Sequence, residues 1–265
     1  MLLAVDVGNS ETKLGFFART SNGVGGGTLT RTWRVTTARR RTADEFGVLF
    51  AALFRRAEIP LEAVRAIVVS SVVPQNDKAL AEACRLYFNC EPHFFNVARQ
   101  RLLVVRTERP KELGSDLAAA AIGAVALYGA PVIVIGFGTA TTFGAVGRDG
   151  AYLGAALAPG IQISIDALVA RTAKLPQVSL EAPSSPIGID TVSALQSGII
   201  YGYVGQTEGM VARMKAELGD DAGVVATGGL ADIVARETRA IDHVEPHLVL
   251  LGLHRYVESE IGFSV

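Results

Sequence analysis

The sequence predicts an α/β fold built from two similar halves. Three observations carry that prediction. Short β-branched runs alternate with segments of helical period along the whole chain. A signature of strand, glycine turn and strand occurs twice, over residues 5–15 and 135–145. The composition, 49% hydrophobic and 19% charged over 265 residues, suffices for a sizeable core.

In the first half, LLAVDV (2–7) is an apolar run closed by a turn at Gly8, and residues 13–17 resume it, which predicts a hairpin. The stretch SNGVGGGTLTRTW (21–33) reads as a loop entering another strand. Thr42 and Glu45 stand three residues apart as a capping box, and Phe46, Leu49, Phe50, Leu53 and Phe54 follow at helical spacing up to Ile59-Pro60. AIVVSSVV (66–73) is a buried strand, followed by a helix near 76–88 and a short strand near Phe94-Phe95. The basic, proline-interrupted stretch 99–111 reads as a solvated loop or as a face toward an anionic substrate.

The second half restarts at Gly114. A helix is expected over 116–128, strands over 132–137, through Val146 and over 151–157, with a hairpin turn at Arg148-Asp149-Gly150. Helices follow near 161–173 and 190–217, then a strand at 223–226, a turn at Gly228-Gly229 and two further helices. The division expected is 1–113 and 114–265. The uncharged run 117–138 is long enough to raise a membrane span, but Gly129-Ala130-Pro131 breaks it into a buried helix and a buried strand.

Laid over each other, the two signatures match Gly8 with Gly138, Asn9 with Thr139 and Thr12 with Thr142, at one constant offset. A duplicated half accounts for this most simply. A glycine turn presents successive backbone N–H groups that can surround phosphate oxygens, so two such turns would hold a triphosphate from both sides. Asp6 stands where a carboxylate holds Mg²⁺ through water, its alternative role being to cap the turn; Lys13 supplies a point charge for a phosphate. A third turn, ATGGLA (226–231) with Gly228 and Gly229, follows a strand and opens a helix, which suits a nucleoside. The nucleotide is expected in a cleft between the halves.

Other features narrow the class. A net charge of −1 gives no reason to expect nucleic acid or anionic membrane as partner. Cys84 and Cys90 form no metal or disulfide framework, and the N-terminus carries no signal-peptide pattern, so a cytoplasmic chain with reduced cysteines is expected. His243, Glu245, His247 and His254 are better read as surface or cap residues than as a metal site, because Pro246 interrupts any shared helical face.

The three turns, in this order, resemble the phosphate-1, phosphate-2 and adenosine motifs of the actin, hexokinase and heat-shock chaperone superfamily, with its ribonuclease H-like fold. More closely, the chain resembles type III pantothenate kinase over nearly its whole length. The matching segments are DVGNSETK (6–13), RPKELGSD (109–116), FGTATTF (137–143), GAALAPGIQISIDALVARTAKLP (154–176), DTVSALQSGIIYG (190–202), VVATGGLA (224–231) and HLVLLGL (247–253). The resemblance implies a homodimer that uses ATP and Mg²⁺ to phosphorylate pantothenate, the first step toward coenzyme A. It implies that Asp6, Gly8, Asn9, Ser10, Lys13, Gly138, Thr139, Gly228 and Gly229 meet the nucleotide. Asp116 would be the general base, the bland alternative being charge complementarity at a helix N-terminus. Thr107, Gly114, Ser115, Leu117 and Thr191 would line the substrate, with Thr191 near the dimer interface.

The chain departs from the family at four positions. Leu117 stands where Arg is usual after the catalytic Asp, and Thr107 where an aromatic residue is common. Gly136 replaces the Asp that opens the phosphate-2 motif and helps hold K⁺ or NH₄⁺; Gly144 replaces a second Asp. Losing one charged, transition-state-oriented interaction costs on the order of 10²–10³ in rate. Two alternatives follow: a nucleotide-binding homologue with weak or no kinase activity, or a kinase for a related small hydroxyl substrate. Arg106 and Arg109 are candidate replacements for the missing cation.

Overall fold

The computed structural model describes residues 1–18, 27–172 and 175–262; the expected loop over 21–33 lies outside them at 21–26. The chain divides into two compact units, one of residues 1–103, 108–126 and 248–265, the other of residues 104–107 and 127–247.

Unit 1 holds a five-stranded sheet in the order β3-β2-β1-β4-β5, from β1 (Leu2–Val7), β2 (Glu11–Ala18), β3 (Thr28–Thr36), β4 (Ala66–Ser71) and β5 (Pro92–Phe94). β1 pairs antiparallel with β2 and parallel with β4. Alternate residues Leu3, Val5 and Val7 join the core formed with helices α1 (Ala43–Arg56) and α2 (Pro74–Phe88), around Phe50, Phe54 and Phe88. The opposite face of the sheet meets α7 (Leu248–Tyr256), where Phe17 stacks on His254 at 4.4 Å. Coverage on both faces explains why β1 is apolar at successive positions rather than at alternate ones. Helix α3 (Ser115–Tyr128) supplies a buried run of small residues, Ala118 to Ala121 and Gly123. A Cβ on Gly123 would stand 2.5 Å from the Leu248 carbonyl, so small side chains let α3 and α7 meet backbone to backbone.

The capping box is present as expected: the Glu45 N–H donates to Thr42 Oγ1 at 3.3 Å and the Thr42 N–H to Glu45 Oε2 at 2.7 Å. Trp33 stacks on Phe54 at 5.2 Å, a packing role the sequence did not disclose. Cys84 lies in the same core, and both cysteines are free thiols.

Unit 2 repeats the topology. Its sheet runs β10-β9-β6-β7-β8, from β6 (Val132–Phe137), β7 (Ala140–Val146), β8 (Tyr152–Pro159), β9 (Gly223–Thr227) and β10 (His243–Val244). β6 pairs antiparallel with β7 and parallel with β9, as β1 does with β2 and β4. Helices α4 (Ile161–Ala170), α5 (Thr191–Leu218) and α6 (Ala231–Ala235) contribute to its core, with Ile133, Ile135 and Phe137 from β6. Duplication is therefore visible in the strand order.

One detail of the duplication is corrected. Thr12 faces Val7, and Thr141, not Thr142, faces Phe137. The second turn is one residue shorter, so the constant offset holds up to the turn and slips by one after it. Burial agrees: Thr12 and Thr141 are both buried. No helix among the described residues is long and apolar enough to cross a membrane; Gly129 and the Ala130–Pro131 bond separate α3 from β6.

Candidate active site

In unit 1, β1, β3 and β4 share one direction, so their C-terminal ends lie along one edge of the sheet. Ligands in open α/β sheets gather at such edges. Asp6 sits there, one residue before the strand ends, opposite Lys13 of β2 and Ser70 of β4. Only 7% of Asp6 is exposed, and its Oδ1 has no hydrogen-bond partner. Burial, and next the neighbouring Asp116, push its carboxyl up to about 7, against the pull of Lys13 and Ser70. Ser70 has a single proton to give, and Asp6 and Ser115 both stand within its reach, Ser115 Oγ at 2.9 Å. Ser115 in turn donates to the Ser71 carbonyl at 3.2 Å. The start of α3 is thus bonded to the end of β4, which carries Asp116 to the edge beside Asp6.

Asp116 occupies the first turn of α3, and its Oδ1 accepts the Leu117 N–H at 2.9 Å. Burial raises its carboxyl, while that N–H, its own N–H and Lys13 lower it. A Cβ on Gly114 would lie 2.6 Å from Asp116 Oδ1, so glycine there leaves room for the carboxylate. Leu117 acts on Asp116 through its backbone; its side chain is half-buried and carries no charge. Two partly desolvated carboxyls with one lysine can hold a cation and accept a proton. Magnesium fits this donor set: it takes one or two carboxylates and completes its shell with water and phosphate. The unpartnered Oδ1 of Asp6 is the atom that fits it. Gly8 closes the adjoining turn by donating to the Glu11 carbonyl at 3.0 Å, with Asn9 and Ser10 exposed at its tip.

Unit 2 gathers the other two glycine turns. Gly138 donates to the Ala140 carbonyl at 3.1 Å, and Gly160, the N-cap of α4, donates to the Thr139 carbonyl at 3.1 Å. A Cβ on Gly160 would collide with the carbonyls of Gly138 and Thr139. Gly228, at φ 102, lies against the backbone of Phe137, so the third turn abuts the strand that leads into the second; Gly229 beside it is exposed. The sequence had Gly228 and Gly229 as site candidates and missed Gly160, whose signal was an Ala-Pro-Gly ending directly before a helix.

Two glycines, Gly136 and Gly144, stand where the resemblance implies aspartates. Gly136 faces Thr142 across β6 and β7, and a Cβ at Gly136 would stand 2.6 Å from Thr142 Oγ1. A Cβ at Gly144 would stand 3.1 Å from the ring of Tyr152. At 136 the Thr142 hydroxyl would have to turn away to admit a Cβ, and at 144 the Tyr152 ring would have to give by a few tenths of an ångström. A monovalent cation held by a carboxylate at position 136 does not fit this chain.

Thr107 lies in unit 2, half-buried, two residues after a bridge between Val105 and Tyr152. Thr191 opens α5, exposed, behind the N-cap Asp190. Arg106 pairs with Asp149, and Arg109 with Glu112 at 3.1 Å, so both candidate replacements for the missing cation are engaged by other carboxylates. His243 stacks on Tyr128 at 4.4 Å.

The model of the family described as type III pantothenate kinase matches residues 2–213, from β1 through most of α5. The chain belongs to the type III pantothenate kinase family. Solved structures place its fold in wider company. A protein from Campylobacter jejuni described as a Baf family transcriptional activator superposes with a TM-score of 0.59 at 17% identity, over 98% of this chain and 100% of that one. A Sinorhizobium meliloti protein described as a 2-dehydro-3-deoxygalactonokinase gives 0.59 at 14%, over 100% and 98%. The activator of the 2-hydroxyisocaproyl-CoA dehydratase from Clostridium difficile, solved with bound ADPNP, gives 0.52 at 14%, over 100% and 98%. At these identities the likeness speaks to the fold: this family member has the two-domain α/β architecture of actin-like kinases and ATPases.

Proposed function

We propose that this chain transfers the γ-phosphoryl group of ATP to the hydroxyl of pantothenate, giving 4′-phosphopantothenate and ADP. The observation that carries the reading is the convergence of Asp6, Asp116 and Lys13 at the sheet edge of unit 1, in a chain of this family. The substrate oxygen forms the new bond to phosphorus as the bridging oxygen leaves with ADP, and the hydroxyl proton passes to Asp116. A carboxyl raised by burial is a stronger base than a solvated one, which suits that step. Lys13 and the amides of the turns at Gly8 and Gly138 bind the phosphates, with Asn9, Ser10 and Thr139 beside them; Gly228 and Gly229 leave room for the nucleoside. Asp6 would hold Mg²⁺ through water, and the ion when bound would neutralise charge on the phosphates. Thr107, 114–117 and Thr191 line the acceptor.

No step requires K⁺ or NH₄⁺. With glycine in place of a carboxylate at 136, transfer runs without a monovalent activator. A homodimer belongs to the same reading: Leu157, Ile163, Leu168, Ile187, Ile189 and Val192, around β8, α4 and the start of α5, all stand exposed. A second copy of the chain would cover them.

The decisive assay is ADP release with Mg·ATP and pantothenate, against an Asp116→Asn control. Removing the base lowers the rate by about 10²–10⁴-fold while ATP still binds. ADP release equal in wild type and variant sinks the kinase reading. Gly136 and Leu117 favour one second reading, a nucleotide-binding homologue with little turnover; tight ATP binding without ADP would establish it.

A further inference from the structure

The edge that carries Asp6 also carries an element the reaction above leaves idle. β3 ends at Thr36 on the same side as Val7 and Ser71. The segment leaving it is tied down at once. The Thr37 N–H donates to the Ser10 carbonyl at 3.0 Å, and the Thr37 and Thr12 hydroxyls are hydrogen-bonded at 2.8 Å. The Asn76 amide, at the start of α2, donates to the Ala38 carbonyl at 2.9 Å. Four residues on, the capping box of α1 fixes the other end at Thr42.

Between these ties stand Arg39, Arg40 and Arg41. Arg41 is engaged, with its guanidinium 5.4 Å from the centre of the Phe46 ring. Arg39 and Arg40 are exposed, and among the described residues neither forms an ion pair. Three consecutive arginines are a local concentration of charge in a chain whose net charge is −1. A solvated charge run needs no anchoring, since water serves every guanidinium equally well. Here the loop is hooked to the phosphate-1 turn itself, through Ser10. Arg39 follows Thr37 by two residues, which bounds its Cα to within about 7 Å of Thr37. Guanidinium groups take phosphate oxygens in a planar, two-pronged geometry that lysine cannot reproduce.

We propose that Arg39 and Arg40 are a phosphate-binding element of the nucleotide site, taking the terminal phosphoryl groups of a nucleoside triphosphate presented by the turn at Gly8, Asn9 and Ser10. The assignment rests on the reading of that turn as a phosphate site. It also supplies positive charge at the edge where Leu117 supplies none.

The test is an Arg39→Ala/Arg40→Ala double variant of the full chain, with Arg39→Lys/Arg40→Lys beside it and Arg55→Ala as a charge control. Binding of Mg·ATP, inorganic tripolyphosphate and adenosine is measured by calorimetry at two salt concentrations. The Ala variant should bind ATP and tripolyphosphate at least about tenfold more weakly, with adenosine unchanged and a shallower salt dependence. The Lys variant should recover part of the affinity, and Arg55→Ala should match wild type. ATP and tripolyphosphate affinities that stay at the wild-type value overturn the proposal. So does a raised KM for pantothenate with ATP binding intact, which would assign the arginines to the acceptor's carboxylate. Wild-type protein that binds tripolyphosphate through these arginines but not adenosine or ATP preferentially would leave the phosphate element standing and remove the nucleotide reading. Absence of both would remove the two together.

Discussion

Asp6 offers the sharpest test, because its stability effect and its binding effect have opposite signs. Its carboxyl rises from 3.8 to about 7 in the folded protein, chiefly through burial. An acid with a raised folded value costs nothing below the unfolded value, and destabilises progressively as pH climbs from about 4 to 7. At about 1.36 kcal/mol per unit, the full penalty approaches about 4 kcal/mol above neutrality. Replacing Asp6 with Asn removes the ionisation, so the variant should gain on wild type by about 2–3 kcal/mol between pH 5 and pH 8. The measurement is urea unfolding in EDTA at several pH values, followed by tryptophan fluorescence. Trp33 is the sole tryptophan and packs on Phe54 inside unit 1, so the signal reports the unit that contains Asp6. Mg·ATP should then narrow the gap, raising the wild-type midpoint more than that of Asp6→Asn. A difference between the two proteins that stays constant from pH 5 to pH 8 would refute the assigned cause.

Three further outcomes are expected. Exchanging Na⁺ for K⁺ or NH₄⁺ should change wild-type phosphoryl transfer by less than about twofold, since no carboxylate stands at 136; strong activation, on the order of tenfold or more, would contradict the reading of Gly136. Gly228→Ala meets both a positive φ and the Phe137 carbonyl, and should cost about 2 kcal/mol or more, whereas Gly198→Ala, with open space at its Cβ within α5, should be neutral or stabilise by up to about 1 kcal/mol in thermal unfolding. Phe54→Ala empties the centre of the aromatic cluster with Phe16, Trp33 and Phe88, and should lose about 3–5 kcal/mol by the Trp33 signal.

What the sequence disclosed, and what it withheld, follows from the range of the interactions. β1, α1 with its capping box and the Arg148-Asp149-Gly150 turn rest on local chemistry and were legible as such. The doubled topology was legible through the two turn signatures. The slip of one residue after the second turn was not, because Thr141 and Thr142 are adjacent identical residues and only cross-strand pairing tells them apart. The placing of Thr142 opposite Gly136 is likewise a matter of register. Ser70 carried a faint signal, a serine pair ending an otherwise apolar strand; its partner Ser115 lies 45 residues away. β10 is two residues long, too short for any period to show.

The last helix has a consequence for how the molecule comes into being. α7 is made after every residue of unit 2, yet it belongs to unit 1, where its Gly252 lies so close to Ala119 that a single methyl group there would collide with the Ala119 carbonyl. On the ribosome, the first sheet therefore emerges early and waits, with Phe17 lacking its stacking partner, while the whole second unit is synthesised. The unit that holds Asp6 and Asp116 is sealed only when α7 slides into the small-residue groove of α3. A nascent chain halted before α7 would carry both carboxylates of the candidate site and still lack the core that positions them. The apolar face that α7 covers stays exposed until then, which is the kind of surface that draws incomplete chains into association.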